Sequence, residues 1–172
     1  MRLGLVADTH GLLDPVLPAV LDGCDLVLHA GDVGRPSVLE ALSRIAPVLA
    51  VRGNNDAGPG LDGLPEWLPV DAGELRALVV HEARPGAPAA PLARILAREG
   101  VHFVVHGHSH RPGAVVAGGR LFVNPGSAGP RRFSLPRTAA VAVVRGRRVE
   151  VRFSRLDPAG PRAHGEPFTA TL

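Results

Sequence analysis

The chain contains no Lys, no Gln and no Tyr, and it has one Cys, one Met and one Trp in 172 residues. All 19 basic residues are therefore Arg. Without Lys there is no amine for a Schiff base and no P-loop lysine. With a single Cys there is no intrachain disulfide and no C-x-x-C redox pair, and Cys24 reads as a small buried apolar residue. No G-x-G-x-x-G follows the first apolar run, which argues against a dinucleotide site. Ser127 sits in Pro-Gly-Ser-Ala-Gly, not in the G-x-S-x-G of a nucleophile elbow. No stretch approaches the roughly 20 apolar residues of a membrane span. The N-terminal apolar run stops at Asp8, too short for a signal peptide's core. These absences point to a cytoplasmic protein without membrane association. Aromatic residues make up 3%, so the basic clusters lack the interleaved rings of a nucleic-acid surface, and nucleic acid is a weak candidate partner.

What is present is a globular composition, 45% hydrophobic, whose core must come from Leu, Val and Ala. The length suits one domain over residues 1–172. Enrichment in Ala, Gly, Pro and Arg is the mark of GC-rich coding. The net charge of +3 is mild. The clusters at Arg131, Arg132 and Arg137, and at Arg145, Arg147, Arg148 and Arg152, read first as solvated faces and second as a rim attracting phosphate.

Three apolar runs, Arg2–Ala7, Asp25–Ala30 and Pro47–Arg52, read as buried strands. Helices are expected between them, one from an Asp14-Pro15 cap to about Leu21 and one over Pro36–Arg44. Hairpins are expected around Ala72-Gly73, Gly118-Gly119 and Arg145-Gly146, with a helix over Pro91–Glu99 and a further strand over His102–His106. From about Asp157 the Pro- and Gly-containing tail reads as irregular. The expected architecture is α/β: one parallel sheet, one hairpin-rich sheet and helices outside both, a four-layer α/β/β/α sandwich.

Polar residues gather at the strand ends. Asp8-x-His10 follows the first strand, Asp32 the second and Asn54 the third, His81 ends a hairpin strand, and His108-x-His110 follows the later apolar run. Residues two apart in extended chain point the same way, so each D-x-H or H-x-H pair can serve one centre. Gly31, Gly53 and Gly107 stand immediately before these donors, where a missing Cβ allows close approach. Carboxylate, imidazole and amide donors without thiolate suit Mn, Fe, Co, Ni or Zn. Seven donors exceed one tetrahedral ion and suit two.

The ordered motifs Asp8-Thr9-His10, Gly31-Asp32, Gly53-Asn54-Asn55-Asp56, His81 and Gly107-His108-Ser109-His110 resemble the calcineurin-like metallophosphoesterase superfamily. With Asn124-Pro125-Gly126-Ser127 and the short chain, they are similar to its small single-domain phosphodiesterase branch. The resemblance implies the same four-layer fold. It also implies two divalent cations, manganese foremost: one held by Asp8, His10, Asp32 and His110, the other by Asp32, Asn54, His81 and His108, with Asp32 bridging. A metal-bridging hydroxide would attack phosphorus, so no side-chain nucleophile is needed.

Two departures from the family pattern stand out. Asn55 replaces a His usual in relatives, and an amide donates a hydrogen bond but no acidic proton. Leaving-group help could then come from His106, with Asp56 orienting the loop. Glu82 stands where relatives often have Gly. Arg52 and Arg111 flank donor loops and are candidates for binding the substrate phosphate, with surface pairing as the plainer reading. His29 reads as packed support, and Asn124-Pro125-Gly126-Ser127 as either a turn or a buttress. The implied substrate is a small phosphoester or nucleotide, and small relatives often form homodimers. Alternatives are a phosphomonoesterase, and a non-catalytic scaffold such as the relatives that keep the fold after losing ligands.

Overall fold

The computed structural model describes residues 1–132 and 134–172. Strands β1 (Arg2–Val6), β2 (Leu26–His29) and β3 (Val48–Ala50) run parallel, linked by helices α1 (Leu17–Leu21) and α2 (Pro36–Ser43). There follow β4 (Trp67–Ala72), β5 (Leu75–Val80), α3 (Ala90–Arg98), β6 (Phe103–Val105), β7 (Gly113–Ala117) and β8 (Arg120–Asn124). The described elements end with β9 (Thr138–Arg145), β10 (Arg148–Asp157), β11 (Gly160–Ala163) and β12 (Phe168–Thr171).

Period-two alternation builds the layers. Leu3 and Leu5 of β1, with Leu28 of β2, point inward, as do Ala7 and Ala30 just beyond the two strands. They meet Ala77, Val79, Phe103, Val105, Leu121 and Val123 from the other sheet. Val6, Val27 and Val141 point the opposite way, onto Leu17, Leu21, Val38 and Leu42 of α1 and α2. On the far side Leu78, Val104 and Phe122 pack against Leu92 and Leu96 of α3. The result is the expected α/β/β/α sandwich.

Both sheets are mixed, which corrects the division into one parallel and one hairpin-rich sheet. The first has the order β11-β10-β9-β1-β2-β3 and the second β4-β5-β6-β8-β7. The β9–β10 hairpin lies antiparallel beside β1, while β5, β6 and β8 are parallel to one another. The reason lies in β9, whose residues Ala139–Ala142 are buried without alternation. Such a strand needs cover on both faces and neighbours on both edges, and the free edge of β1 supplies the place.

The tail is ordered strand, not irregular chain. The ten-residue β10 exposes a second edge, and both tail strands use it: β11 pairs with Ser154–Asp157 and β12 with Arg148–Val151. Ala170 is buried and Phe168 packs on the central core, so apolar anchors hold segments whose Pro and Gly punctuation read as loop. Helix α1 also starts later than expected. Asp14 Oδ1 accepts the Val16 N–H at 2.8 Å, a side-chain turn rather than a helix cap, and the regular turns begin at Leu17. The hairpin turns fall one residue beyond the expected pairs at Gly73-Glu74 and Gly146-Arg147, and as expected at Gly118-Gly119.

Parallel strands β1, β2 and β3 of one sheet and β5, β6 and β8 of the other deliver their carboxyl ends to one edge of the sandwich. Among the described residues, no helix is long and apolar enough to cross a membrane.

Candidate metal centre

The loops after β1 and β2 are zipped together by backbone bonds. Asp8 N–H reaches Gly31 O at 3.0 Å, and His10 N–H reaches Asp32 O at 2.9 Å. From the second sheet, Gly107 N–H donates to His81 O at 3.0 Å. The two pairs of loops then meet. His110 Nε2 stands 3.3 Å from Asp8 Oδ1 and 3.4 Å from His10 Nε2. Asn54 Oδ1 lies 2.9 Å from His81 Nε2 and 3.1 Å from His108 Nδ1. The two Asp32 oxygens face two different histidines: Oδ1 is 3.5 Å from His81 Nε2, and Oδ2 is 3.8 Å from His10 Nε2. Two groups of side chains, Asp8/His10/His110 and Asp8/Asp32/His81, bring their donor atoms within 4.8 Å of one another. All seven sequence-derived donors therefore converge.

The backbone is strained to achieve this. Among the described residues, the non-glycine positions with positive φ are Asp8, His10, Asp32, His108 and His110, at 46° to 67°. Each such conformation costs a side-chain-bearing residue about 1–3 kcal/mol and persists where surrounding structure enforces it. Every one of the five is a candidate donor. The glycines before the donors act by close approach. A Cβ on Gly107 would meet Asp8 Oδ2 at 2.7 Å, and one on Gly53 would collide with the Asp32 backbone.

Protonation follows from burial. His81 Nδ1 lies 2.8 Å from Ala30 O, which fixes the ring so that its Nε2 faces the Asn54 and Asp32 oxygens. Oxygen and nitrogen atoms gathered this closely suit a cation. Burial, and next the Asp32 carboxylate, push Asp8 up to about 8, although the His108 N–H pulls the other way. Burial opposes charge on Asp32 too, but hydrogen bonds from the Asn55 backbone and amide, with His81 and His10, outweigh it and hold Asp32 low. Burial also lowers His110 to about 4 and depresses His10; His10 lowers His110 further, and the nearby Arg132 lowers both.

These shifts carry a sign for stability. Asp8 binds its proton more tightly folded than unfolded, so its contribution is full below pH 3.8 and is lost as pH rises through about 8. His110, His106 and His29, each lowered to about 4, contribute stability above pH 6.5 that is lost as pH falls. Between pH 6.5 and 8 Asp8 alone of these four is still titrating. Protein stripped of divalent cations should lose stability across that window, and Asp8→Asn should flatten the loss. Denaturation midpoints in chelator at both ends of the window check this; a wild-type midpoint that rises with pH contradicts it.

The supporting residues divide clearly. Asp56 accepts backbone N–H groups from Val33 at 3.1 Å, Gly34 at 2.8 Å and Gly53 at 2.9 Å, tying the second and third donor loops together. Asn55 turns its amide onto Asp32 Oδ2 at 2.6 Å. Asn124 donates to Gly107 O at 2.7 Å and to Ser109 Oγ at 3.0 Å, and Ser127 Oγ donates to Asp8 O at 2.9 Å. Asn124-Pro125-Gly126-Ser127 is thus a buttress for two donor loops. His29 is fully buried against Thr9 Oγ1 at 3.0 Å, a packed support. His106 stands beside the cluster, its ring edge-on to Phe122, walling a separate cavity.

Arg52 forms an exposed pair with Glu66 at 3.1 Å, the plainer of its two readings. Arg111 lines a cavity of about 180 Å³ with His108, His110 and Arg132. Arg132 belongs to a cluster that reads in sequence first as a solvated face and second as a phosphate-attracting rim; the return of the chain after β8 brings it to the donors, in line with the second reading. Sequence reasoning passed over the pairing of buried Asp14 with Arg137 at 2.6 Å.

A model of the calcineurin-like phosphoesterase superfamily domain matches residues 1–147. The chain belongs to this superfamily. A probable metallophosphoesterase of Methanothermobacter thermautotrophicus is 30% identical over 142 residues, covering 79% of this chain and 82% of that protein. One from Methanocaldococcus jannaschii is 35% identical over 136 residues, covering 74% and 68%. Among solved structures, vacuolar protein sorting 29 of Cryptosporidium parvum superposes with a TM-score of 0.79 at 22% identity, covering 98% of each chain. The last likeness concerns the fold.

Proposed function

We propose that the protein is a cytoplasmic phosphodiesterase working with two divalent cations, manganese foremost and iron, nickel, cobalt or zinc as alternatives. Asp8, His10, Asp32 and His110 would hold one cation, and Asp32, Asn54, His81 and His108 the other. The observation that carries this reading is the coincidence of strain with donors: the described non-glycine residues in left-handed backbone are five of these seven. The placement of the Asp32 oxygens toward His81 and His10 supports its role as the shared ligand. Bound there, the cations would lower the pKa of coordinated water and neutralise phosphoryl oxygens.

The chain's own residues supply the rest. Arg111 and Arg132, beside His108 and His110, offer guanidinium donors to phosphoryl oxygens. Asn55 holds Asp32 in place and offers no acidic proton, which favours diesters with good leaving groups. His106 could assist a leaving group only for a substrate arm lying in the cavity it walls.

Elemental analysis of the manganese-loaded protein should find two cations per chain. Bis(4-nitrophenyl) phosphate should be cleaved at least tenfold faster than 4-nitrophenyl phosphate, and chelation should stop both reactions. Faster cleavage of the monoester would turn the reading to a phosphomonoesterase. Absence of metal-dependent turnover on either would turn it to a protein-binding scaffold, a role compatible with the fold likeness to vacuolar protein sorting 29.

A further inference from the structure

A second cavity, of about 410 Å³, lies on the outer face of the five-stranded sheet where β6 and β8 end. That size falls within the range of small-molecule pockets. Pro85, Ala114, Val115 and Phe122 give it apolar walls, and His106 and Asn124 are its polar members deepest in the protein. Ser109 and Arg111 line both this cavity and the smaller one that contains His108 and His110. The two spaces therefore share a wall at Ser109 and Arg111, on the loop that carries His108 and His110.

The chemistry of the lining restricts what fits. None of its residues is acidic, and Arg84 and Arg111 are its charged members, both exposed. A cationic group is thus disfavoured, whereas a group tethered to a phosphoryl is matched in charge. Asn124 spends its amide internally, donating to Gly107 O and Ser109 Oγ while its own oxygen accepts the Gly126 N–H at 2.9 Å. His106 Nδ1 faces that amide nitrogen at 3.5 Å. The cavity thus offers apolar surface and an aromatic wall in Phe122, with Arg84, Ser109 and Arg111 at its exposed margin.

We propose that this cavity binds one ester arm of the substrate, an uncharged flat ring of aryl or nucleoside type, while its phosphoryl group lies at the donor cluster. The inference rests on the phosphoesterase reading and adds to it the class of alcohol. Selection is by shape and apolar contact, so different rings of similar size are accepted and small aliphatic arms are disfavoured.

Two non-hydrolysable probes test this on the manganese-loaded protein, methylphosphonate and 1-naphthylphosphonate, each as an inhibitor of diester cleavage. The naphthyl compound should have a Ki at least tenfold lower. Val115 lies on edge strand β7, is 44% exposed and pairs with Phe122, so a Trp there fills the cavity without burdening the core. Val115→Trp should bring the two Ki values within twofold of each other and leave that of methylphosphonate unchanged. A ratio that instead widens, through stacking on the new indole, would equally place the ring against residue 115. Equal Ki values in the wild type, or a ratio untouched by Val115→Trp, would overturn the subsite while phosphoesterase activity stands. If neither phosphonate inhibits and no metal-dependent turnover exists, the parent reading has failed and takes the subsite with it.

Discussion

Asp8→Asn should lower manganese-dependent hydrolysis of bis(4-nitrophenyl) phosphate at least a thousandfold while leaving the cation-free fold intact. A thousandfold loss corresponds to about 4 kcal/mol of transition-state stabilisation. Asp8 would hold one cation together with His10, His110 and Asp32, and its carboxylate stands in both groups of converging side chains. The amide preserves shape and can still accept the His108 N–H, now made to Oδ1 and Oδ2 at 3.2 and 3.1 Å. Folding does not need the charge, since burial and Asp32 already push the carboxyl up to about 8. Steady-state rates, paired with thermal melts in chelator, separate the two effects. Retained turnover would remove Asp8 from the centre, and a collapsed melt would make its role structural. His108→Ala should produce a similar loss of turnover with a smaller effect on folding, because His108 is exposed.

Gly53→Ala should damage the protein more than its single methyl group suggests. The new carbon would run into the Asp32 backbone and carboxylate, rigid atoms of a strained turn. Overpacking of this kind costs about 1–3 kcal/mol. Relief requires moving Asp32, and with it the position shared between His81 and His10. The variant should therefore lose at least one tightly bound cation as well as stability. Gly63→Ala is the matched control, because nothing lies within 4 Å of a Cβ at that position. Urea midpoints and metal titrations of the pair decide the matter; equal behaviour of the two variants would show that close packing against Asp32 is not needed.

The gathering of the seven candidate side chains was readable in the sequence because each motif is local. A short buried strand, a glycine and one or two polar residues place a donor at a strand end, and parallel strands bring those ends together. The order of layers was readable from alternation in residues such as Leu3, Leu5 and Leu28. Features that depend on contacts distant in sequence were harder to read. Nothing local assigns β9 to the edge of β1 rather than to the hairpins of the second sheet. Nor does a short Pro- and Gly-punctuated tail announce that the second edge of β10 will receive it. Arg52 and Arg132 exchange roles for the same reason. The first flanks a donor loop yet meets Glu66, while the second is distant in sequence yet stands close enough to depress His10 and His110.

The buttress and the donor loops join what the core only stacks. Asp8, His10, Asp32 and Asn54 come from the seven-stranded sheet, and His81, His108 and His110 from the five-stranded one. Apolar packing between two sheets is non-directional and tolerates small slips along the strands. Cations gripped from both sides would act as rivets through that seam. Registration of the two halves would then become a property of metal loading, with hydrogen exchange slowing together at strand ends that never touch.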